Sequence, residues 1–441
     1  MNLLNCSPSS TVVFNLLCIH FLSFCLIAAA DNVDISDYID QPAYVIQQKT
    51  HVPTLSSPFV DTYSFFTTVD HNISLYSVLT VPKNIKSNNL LIYLPGGPGF
   101  SLFTALFEEI GPFKIVIDDE FHHSNHTTFP NHKSKFFFNH HSIGSILPIL
   151  FIDQPPKTGF SKGDLNLDLN QTCKLLVKLL NQFYKAFPQF NNHKLIIGGS
   201  SFGIKFSLRL AILIPNRVLG IISGNPIISC KQANSLINFG KSFGICGGSE
   251  QVFLEEKLYN LNHFLNIGDI TTASNSFLNL ILEFSSYLDI SPHHILQKYY
   301  GFNAEFILNF VNSNLDKLHA SGTNFSSIIS NDVRSYYKQY TCIDDTQLLS
   351  NFLNQGKKIL LYSGQFDLMC NSLGLLELLE SINFNNMWSS LPLKLSVYGG
   401  KSIGSVKGDD SLLYLNINLA GHFAGKDNFK LLLDHFQMFF A

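Results

Sequence analysis

A chain of 441 residues that is 46% apolar and only 14% charged has ample material for one large core. Its formal net charge of −3 supplies neither a basic surface for nucleic acid nor an acidic tail. Composition therefore argues against DNA, RNA and membrane-surface partners.

The first stretch, MNLLNCSPSSTVVFNLLCIHFLSFCLIAAADNV, is apolar from about Thr11 to Ala30 and turns polar at Asp31. Three closing alanines predict a signal peptide over residues 1–30 with cleavage near Ala30, although its start carries no positive charge. The rival reading is an uncleaved anchor, because the apolar run is almost long enough to span a bilayer. Sequons at Asn72, Asn125, Asn170 and Asn324 agree with secretory entry and glycosylation. Of eight cysteines, Cys6, Cys18 and Cys25 leave with the signal, and the remaining five leave at least one thiol unpaired. Cys230 and Cys246 close a short loop and are the predicted disulfide.

Downstream, rough alternation over Ser64–Val81 predicts an antiparallel hairpin. Short apolar runs at Leu90–Leu94, Leu147–Ile152, Lys194–Ile197, Val218–Ile222, Lys358–Tyr362 and Leu412–Ile417 predict strands. Cys173–Phe187 and Lys205–Ile214 have helical spacing and stop at Pro188 and Pro215. Strands alternating with helices imply a mostly parallel sheet. The pattern turns helical between about residues 226 and 345, with segments at Phe253–Leu265 and Phe277–Leu288. The expected architecture is a single α/β domain over residues 31–441 with a largely helical cap inserted at about 226–345.

Four short stretches at predicted strand ends can carry chemistry. In LPGGPGF, Gly96 and Gly97 would let the backbone approach a ligand and aim N–H groups at an oxyanion, although an ordinary tight turn has the same composition. In GSSFG, Ser201 is central to G-x-S-x-G, whereas a frame centred on Ser200 would need glycine where Phe202 stands. Asp367 follows the strand in KKILLYSGQFDLMCN, and His422 follows the strand in LLYLNINLAGHFAGKD. Either alone reads as a turn or solvated residue. Together they run Ser, Asp, His, the chain order of an α/β hydrolase triad, each at the C-terminal end of a strand. His422 would take the Ser201 proton, Asp367 would fix the imidazole, and the Gly97 and Phe202 N–H groups would hold the oxyanion.

With those residues placed, the chain resembles the serine carboxypeptidase family. LPGGPGFS is similar to that family's NGGPGCS, FEEIGPF to E-x-GP, FIDQPPKTGFS to D-Q-P-x-G-x-G-[FY]-S and GSSFGIKF to GESYAGKY. SGNP, YSGQFDLMCNSLG and AGHFAGKD likewise resemble its later segments, in order over roughly Thr62 to Phe440. The resemblance implies an α/β-hydrolase fold, a mostly parallel central sheet flanked by helices. It also implies an acyl-enzyme peptidase releasing C-terminal residues at acidic pH.

Departures concern the substrate's terminal carboxylate. The family reads it with the Asn before GGPG and the Glu before the nucleophile; here these are Pro95 and Ser200. Glu109, of E-x-GP, remains, and Gly96, Glu109 and Ser200 are the expected substrate-binding residues. An esterase or acyltransferase on the same scaffold, or a catalytically weak binding relative, are the alternatives this leaves. Phe100 replaces a cysteine that is normally disulfide-bonded, and Cys370 matches the family's usually unpaired cysteine.

Six histidines between His122 and His141 crowd one stretch, but without cysteine partners or helical i, i+4 spacing they predict no metal site. No cofactor is expected. The expected partners are a peptide or small ester substrate, with no nucleic acid, no membrane once the signal is removed, and a homodimer left open. The expected location is the secretory pathway, secreted or in a lysosome or vacuole.

Overall fold

The computed structural model describes residues 32–84, 87–116, 135–382 and 388–441. The predicted signal peptide, the sequon at Asn125 and His122, His123, His126 and His132 lie outside the described residues. Asn72, Asn170 and Asn324 are exposed.

In chain order the described strands are β1 (Val60–Asp70), β2 (Ile73–Pro82), β3 (Asn89–Leu94), β4 (Phe113–Val116), β5 (Lys135–Phe138) and β6 (Ile149–Ile152). They continue as β7 (Lys194–Ser200), β8 (Val218–Gly224), β9 (Lys358–Gly364), β10 (Lys394–Tyr398), β11 (Lys401–Gly408) and β12 (Leu412–Ile417). Ten of them form one sheet in the order β1-β2-β6-β3-β7-β8-β9-β12-β11-β10, and β4 pairs with β5 apart from it. From β6 to β12 every pairing is parallel; the hairpins β1–β2 and β10–β11 border them antiparallel.

The parallel strands are apolar on both faces because both faces are covered. Along β3, Leu90, Ile92 and Leu94 join one core cluster while Leu91 and Tyr93 join the other, as the strand's period of two requires. The helix Leu169–Ala186 starts ahead of the predicted Cys173 because Asp168 and Gln171 form a capping box, with Asp168 accepting from the Gln171 N–H at 2.7 Å. Leu176, Leu179, Leu180 and Phe183 face the sheet from it, and the helix ends before Pro188.

Between β8 and β9 lies the predicted helical cap, including Gly248–Asn266, Ile270–Tyr287, Ala304–Asn312 and Asn331–Tyr337. A disulfide joins its start to its end, but it links Cys230 to Cys342 across 112 residues, not Cys230 to Cys246. The pairing expected from sequence proximity is wrong because a 3₁₀ turn (Cys230–Ser235) and a helix (Leu236–Ser242) separate the two cysteines. Cys246 is instead a buried thiol packed on Gly240. Phe100, standing where the family has a bonded cysteine, is tied to the cap by bridging Ile329 and packing edge-on to Phe302. A crossover-connected parallel sheet with a strand-turn-helix at Ser201 and an inserted cap is an α/β-hydrolase fold.

Candidate active site

Five neighbouring strands, β3, β7, β8, β9 and β12, each end at the same edge of the sheet and deliver one part of a cleft. After β3 comes Gly96-Gly97, after β7 Ser201, after β8 Asn225, after β9 Asp367 and after β12 His422. Parallel strands put all their carboxyl ends together, so residues far apart in sequence converge.

Ser201 has φ of 51°, a left-handed conformation for a non-glycine residue. This is the strained turn expected of G-x-S-x-G. A Cβ on Gly203 would come within 2.3 Å of the Leu94 carbonyl oxygen, and one on Gly96 within 2.3 Å of the Ser200 carbonyl oxygen. The glycines therefore let the β3 loop and the serine turn touch backbone to backbone. The helix that follows, Gly203–Leu213, is anchored to the cap's end by buried Lys205, whose Nζ donates to Asp345 at 3.1 Å.

Asp367 is fully buried, and its Oδ2 lies 2.8 Å from Nδ1 of buried His422. A carboxylate only accepts, so Nδ1 carries the hydrogen and Nε2 is left free. Asn225, itself at φ of 44°, donates from Nδ2 to the same Asp367 oxygen at 2.7 Å, and the Cys370 N–H donates to the other at 3.2 Å. Both loops rest on one cap segment: the His422 N–H donates to the His293 carbonyl at 2.7 Å and the Met369 N–H to that of Pro292 at 3.0 Å.

Gly97 and Phe202 line the cleft with Ser201 and His422, and neither N–H donates to a backbone carbonyl among the described residues. Gly97 has φ of 113°, which needs glycine. The empty volume, mouth included, is about 890 Å³. Cys370 lines the cleft beside Ser201, and burial holds its thiol pKa well above the usual value.

The expected substrate-binding residues meet here too, though they are engaged with one another. Glu109 is buried and accepts the Tyr93 hydroxyl at 2.6 Å and the Ser200 hydroxyl at 3.3 Å. Burial pushes the Glu109 pKa up, partly offset by those two hydrogen bonds. Ser200 thus faces the surviving acid.

Sequence reasoning gave no role to Asn225, although it lies in the SGNP stretch, and missed His293, Arg334 and Lys338, which line the cleft. The His293 ring centroid is 5.1 Å from that of His422, and burial, with the neighbouring His422, pushes its pKa down to about 3. Nothing in SPHHI distinguishes it from a surface histidine. Of the histidines considered for a metal, His140 is exposed and packs on Phe59 and Phe138. The described His, Cys and acidic ligand atoms that converge most closely, on Asp367, Cys370 and His422, belong to the cleft itself.

A model of the family described as "Serine carboxypeptidase" matches residues 53–441. Serine carboxypeptidase-like 47 of Arabidopsis thaliana is 23% identical over 392 residues, covering 80% of this chain and 73% of that one. Pheromone-processing carboxypeptidase kex1 of Aspergillus clavatus is 25% identical, over 67% of this chain and 52% of its own length. Vitellogenic carboxypeptidase of Aedes aegypti is 36% identical over 161 residues, 35% of this chain and 31% of that one. The chain therefore spans about half the length of the second of these relatives and about a third of the third. Among solved structures, the prohormone-processing carboxypeptidase Kex1 of Saccharomyces cerevisiae superposes with a TM-score of 0.72 at 20% identity, covering 90% of this chain and 94% of that one.

Proposed function

This chain belongs to the serine carboxypeptidase family and is a hydrolase of that type, and we propose that it cleaves C-terminal residues from peptides through an acyl-enzyme on Ser201. The observation that carries the reading is the buried Asp367–His422 hydrogen bond beside a serine held at positive φ. Attack begins when the Ser201 hydroxyl donates to Nε2 of His422; such contacts commonly tighten only once substrate is bound. Ser201 Oγ bonds to the carbonyl carbon and its proton passes to Nε2. The carbonyl oxygen becomes an oxyanion, held by the Gly97 and Phe202 N–H groups. Collapse breaks the scissile bond, and the amine leaves with the proton from Nε2. Water then attacks the ester, giving its proton to Nε2, and Ser201 leaves as the reprotonated hydroxyl. Asp367 keeps Nδ1 protonated and offsets the imidazolium charge, with Asn225 fixing the carboxylate.

A second reading, hydrolysis or transfer of small esters, is favoured by one observation: Ser200 spends its hydroxyl on Glu109. Pro95 has no side-chain donor and Ser200 no carboxyl, so the two family groups that would read a terminal carboxylate are absent. Three exposed sequons support passage through the secretory pathway.

A fluorophosphonate probe tests the acyl-enzyme reading. It is expected to label the wild-type chain and not Ser201→Ala; labelling that survives in Ser201→Ala and disappears in Ser200→Ala sinks it. Cleavage of blocked dipeptides with a free C-terminus but not of their esters supports the peptidase, and the reverse supports the esterase.

A further inference from the structure

The cleft that has lost two carboxylate-reading groups has cations in its lining. Arg334 and Lys338 stand four residues apart, on the helix Asn331–Tyr337 and the 3₁₀ turn Lys338–Tyr340 that continues it, and both side chains line the same cavity as Ser201 and His422. Residues at i and i+4 share one helix face, so both charges can address a single group. Both are exposed, which places them toward the cleft's mouth. Among the described residues neither enters an ion pair.

The one acid lining the cleft is Glu109, and it cannot neutralise them: it is buried, engaged by Tyr93 and Ser200, and pushed toward its neutral form by burial. The field of Arg334 is felt by His293, whose ring stands against that of His422. Much of the remaining lining is apolar, with Phe277, Leu278, Ile329 and Met369 among it. Charge-assisted hydrogen bonds are stronger where such walls keep water away.

We propose that Arg334 and Lys338 form an anion site that binds a carboxylate of the substrate, replacing the recognition lost at Pro95 and Ser200. The proposal rests on the reading of Ser201 as the nucleophile of this cleft. The carboxylate is either the substrate's C-terminus or an acidic side chain, and the same cations would hold either. Arg334 offers a planar fork that suits bidentate binding, and Lys338 a mobile point charge beside it.

Binding to the Ser201→Ala chain tests this without turnover. Three ligands are compared by titration calorimetry: N-benzyloxycarbonyl-Phe-Leu, its C-terminal amide, and N-benzyloxycarbonyl-Glu-Leu amide. One of the two carboxylate ligands is expected to bind at least about tenfold tighter than the neutral amide, as one charge-assisted hydrogen bond implies. Preference for the first assigns the terminal carboxylate, and preference for the third an acidic side chain. Arg334→Met with Lys338→Met removes the preference, Arg334→Lys keeps part of it, and raising salt weakens it in the parent chain. Equal binding of all three ligands, or a preference that survives both methionines or is indifferent to salt, overturns the proposal. The salt series needs no new variant and so decides the matter if the double substitution fails to fold. Failure of the wild-type chain to take the fluorophosphonate would instead break the acyl-enzyme reading, whatever the binding data show.

Discussion

The two walls of the cleft are built on different terms. The sheet wall is made of strand ends, with Asp367 fully buried, Asn225 and Ser201 locked at positive φ, and every group held by a short hydrogen bond or a backbone contact. The cap wall is helical, and its cations facing the cavity, Arg334 and Lys338, are exposed and enter no ion pair among the described residues. Reaction geometry tolerates little displacement, so it sits on the rigid element; recognition can change by exchanging side chains on a helix without disturbing the sheet. The departures at Pro95 and Ser200 lie at the ends of β3 and β7, in the sheet wall beside Ser201, Asp367 and His422, so the recognition lost there is the part the cap's cations would replace.

Substitutions in the sheet wall are expected to have the largest effects. Ser201→Ala should lower kcat by about 10⁶, the scale for losing a serine nucleophile, whereas Ser200→Ala should leave probe labelling in place. Asp367→Asn should cost about 10⁴ in kcat by offering the wrong tautomer to His422. Asn225→Ala, which removes one charge-assisted bond of about 1.5–3 kcal/mol, should cost roughly tenfold to a hundredfold. Steady-state kinetics on one substrate ranks the three. A loss for Asn225→Ala equal to that of Asp367→Asn would blur the distinction between reacting and positioning groups.

Next in size is the link between the walls. Cys230→Ser should destabilise the chain by about 2–5 kcal/mol, because the crosslink closes a long loop. Cys246→Ser removes no crosslink and should cost less. Denaturant melts measure both, and non-reducing peptide mapping should recover a Cys230–Cys342 peptide; a Cys230–Cys246 peptide would contradict the structure.

The smallest predicted effect is a pH slope set behind the sheet wall. Asp153 is buried, accepts from the Leu102 N–H at 2.6 Å, the Ser101 hydroxyl at 2.9 Å and the Phe160 N–H at 2.9 Å, and burial raises its pKa to about 7. An acid raised on folding binds more protons in the native state than in the unfolded one. Its stabilisation is therefore complete below about pH 4 and is lost as pH climbs through about 7. Buried His293 pulls the other way, because a base lowered on folding loses stability below its unfolded pKa, so the Asp153 contribution is read by difference: the Tm change from pH 5 to pH 8 should be more positive in Asp153→Asn than in the wild-type chain. A Tm that rises over this interval in the wild-type chain, by a margin that Asp153→Asn leaves unchanged, would contradict the assignment.

Much of the sheet wall was legible in the chain itself. Strands buried on both faces must be apolar throughout, so β3, β6, β7, β8, β9 and β12 announce themselves as short apolar runs. G-x-S-x-G is legible for the same kind of reason, since the backbone contact at Gly203 and Gly96 excludes any side chain. The hairpin β10–β11 was not anticipated. Its outer strand is exposed along most of its length, including Leu395 at 75%, and so carries no burial pattern to read.

Sequence by itself determined the fold class, the order of Ser201, Asp367 and His422, and the loss of the family's carboxylate readers. These are local constraints: an apolar period, a glycine that admits no Cβ, a proline that carries no side-chain donor. Only the tertiary structure decided that Cys230 meets Cys342, that Asn225 braces Asp367, that Ser200 turns to Glu109, and that Arg334 and Lys338 enter the cleft. The first and last depend on how the cap packs over the sheet, and the other two on which strand ends and helix ends the sheet order brings side by side. Contacts between residues about ninety or more positions apart leave no periodicity or spacing in the chain from which they could be read.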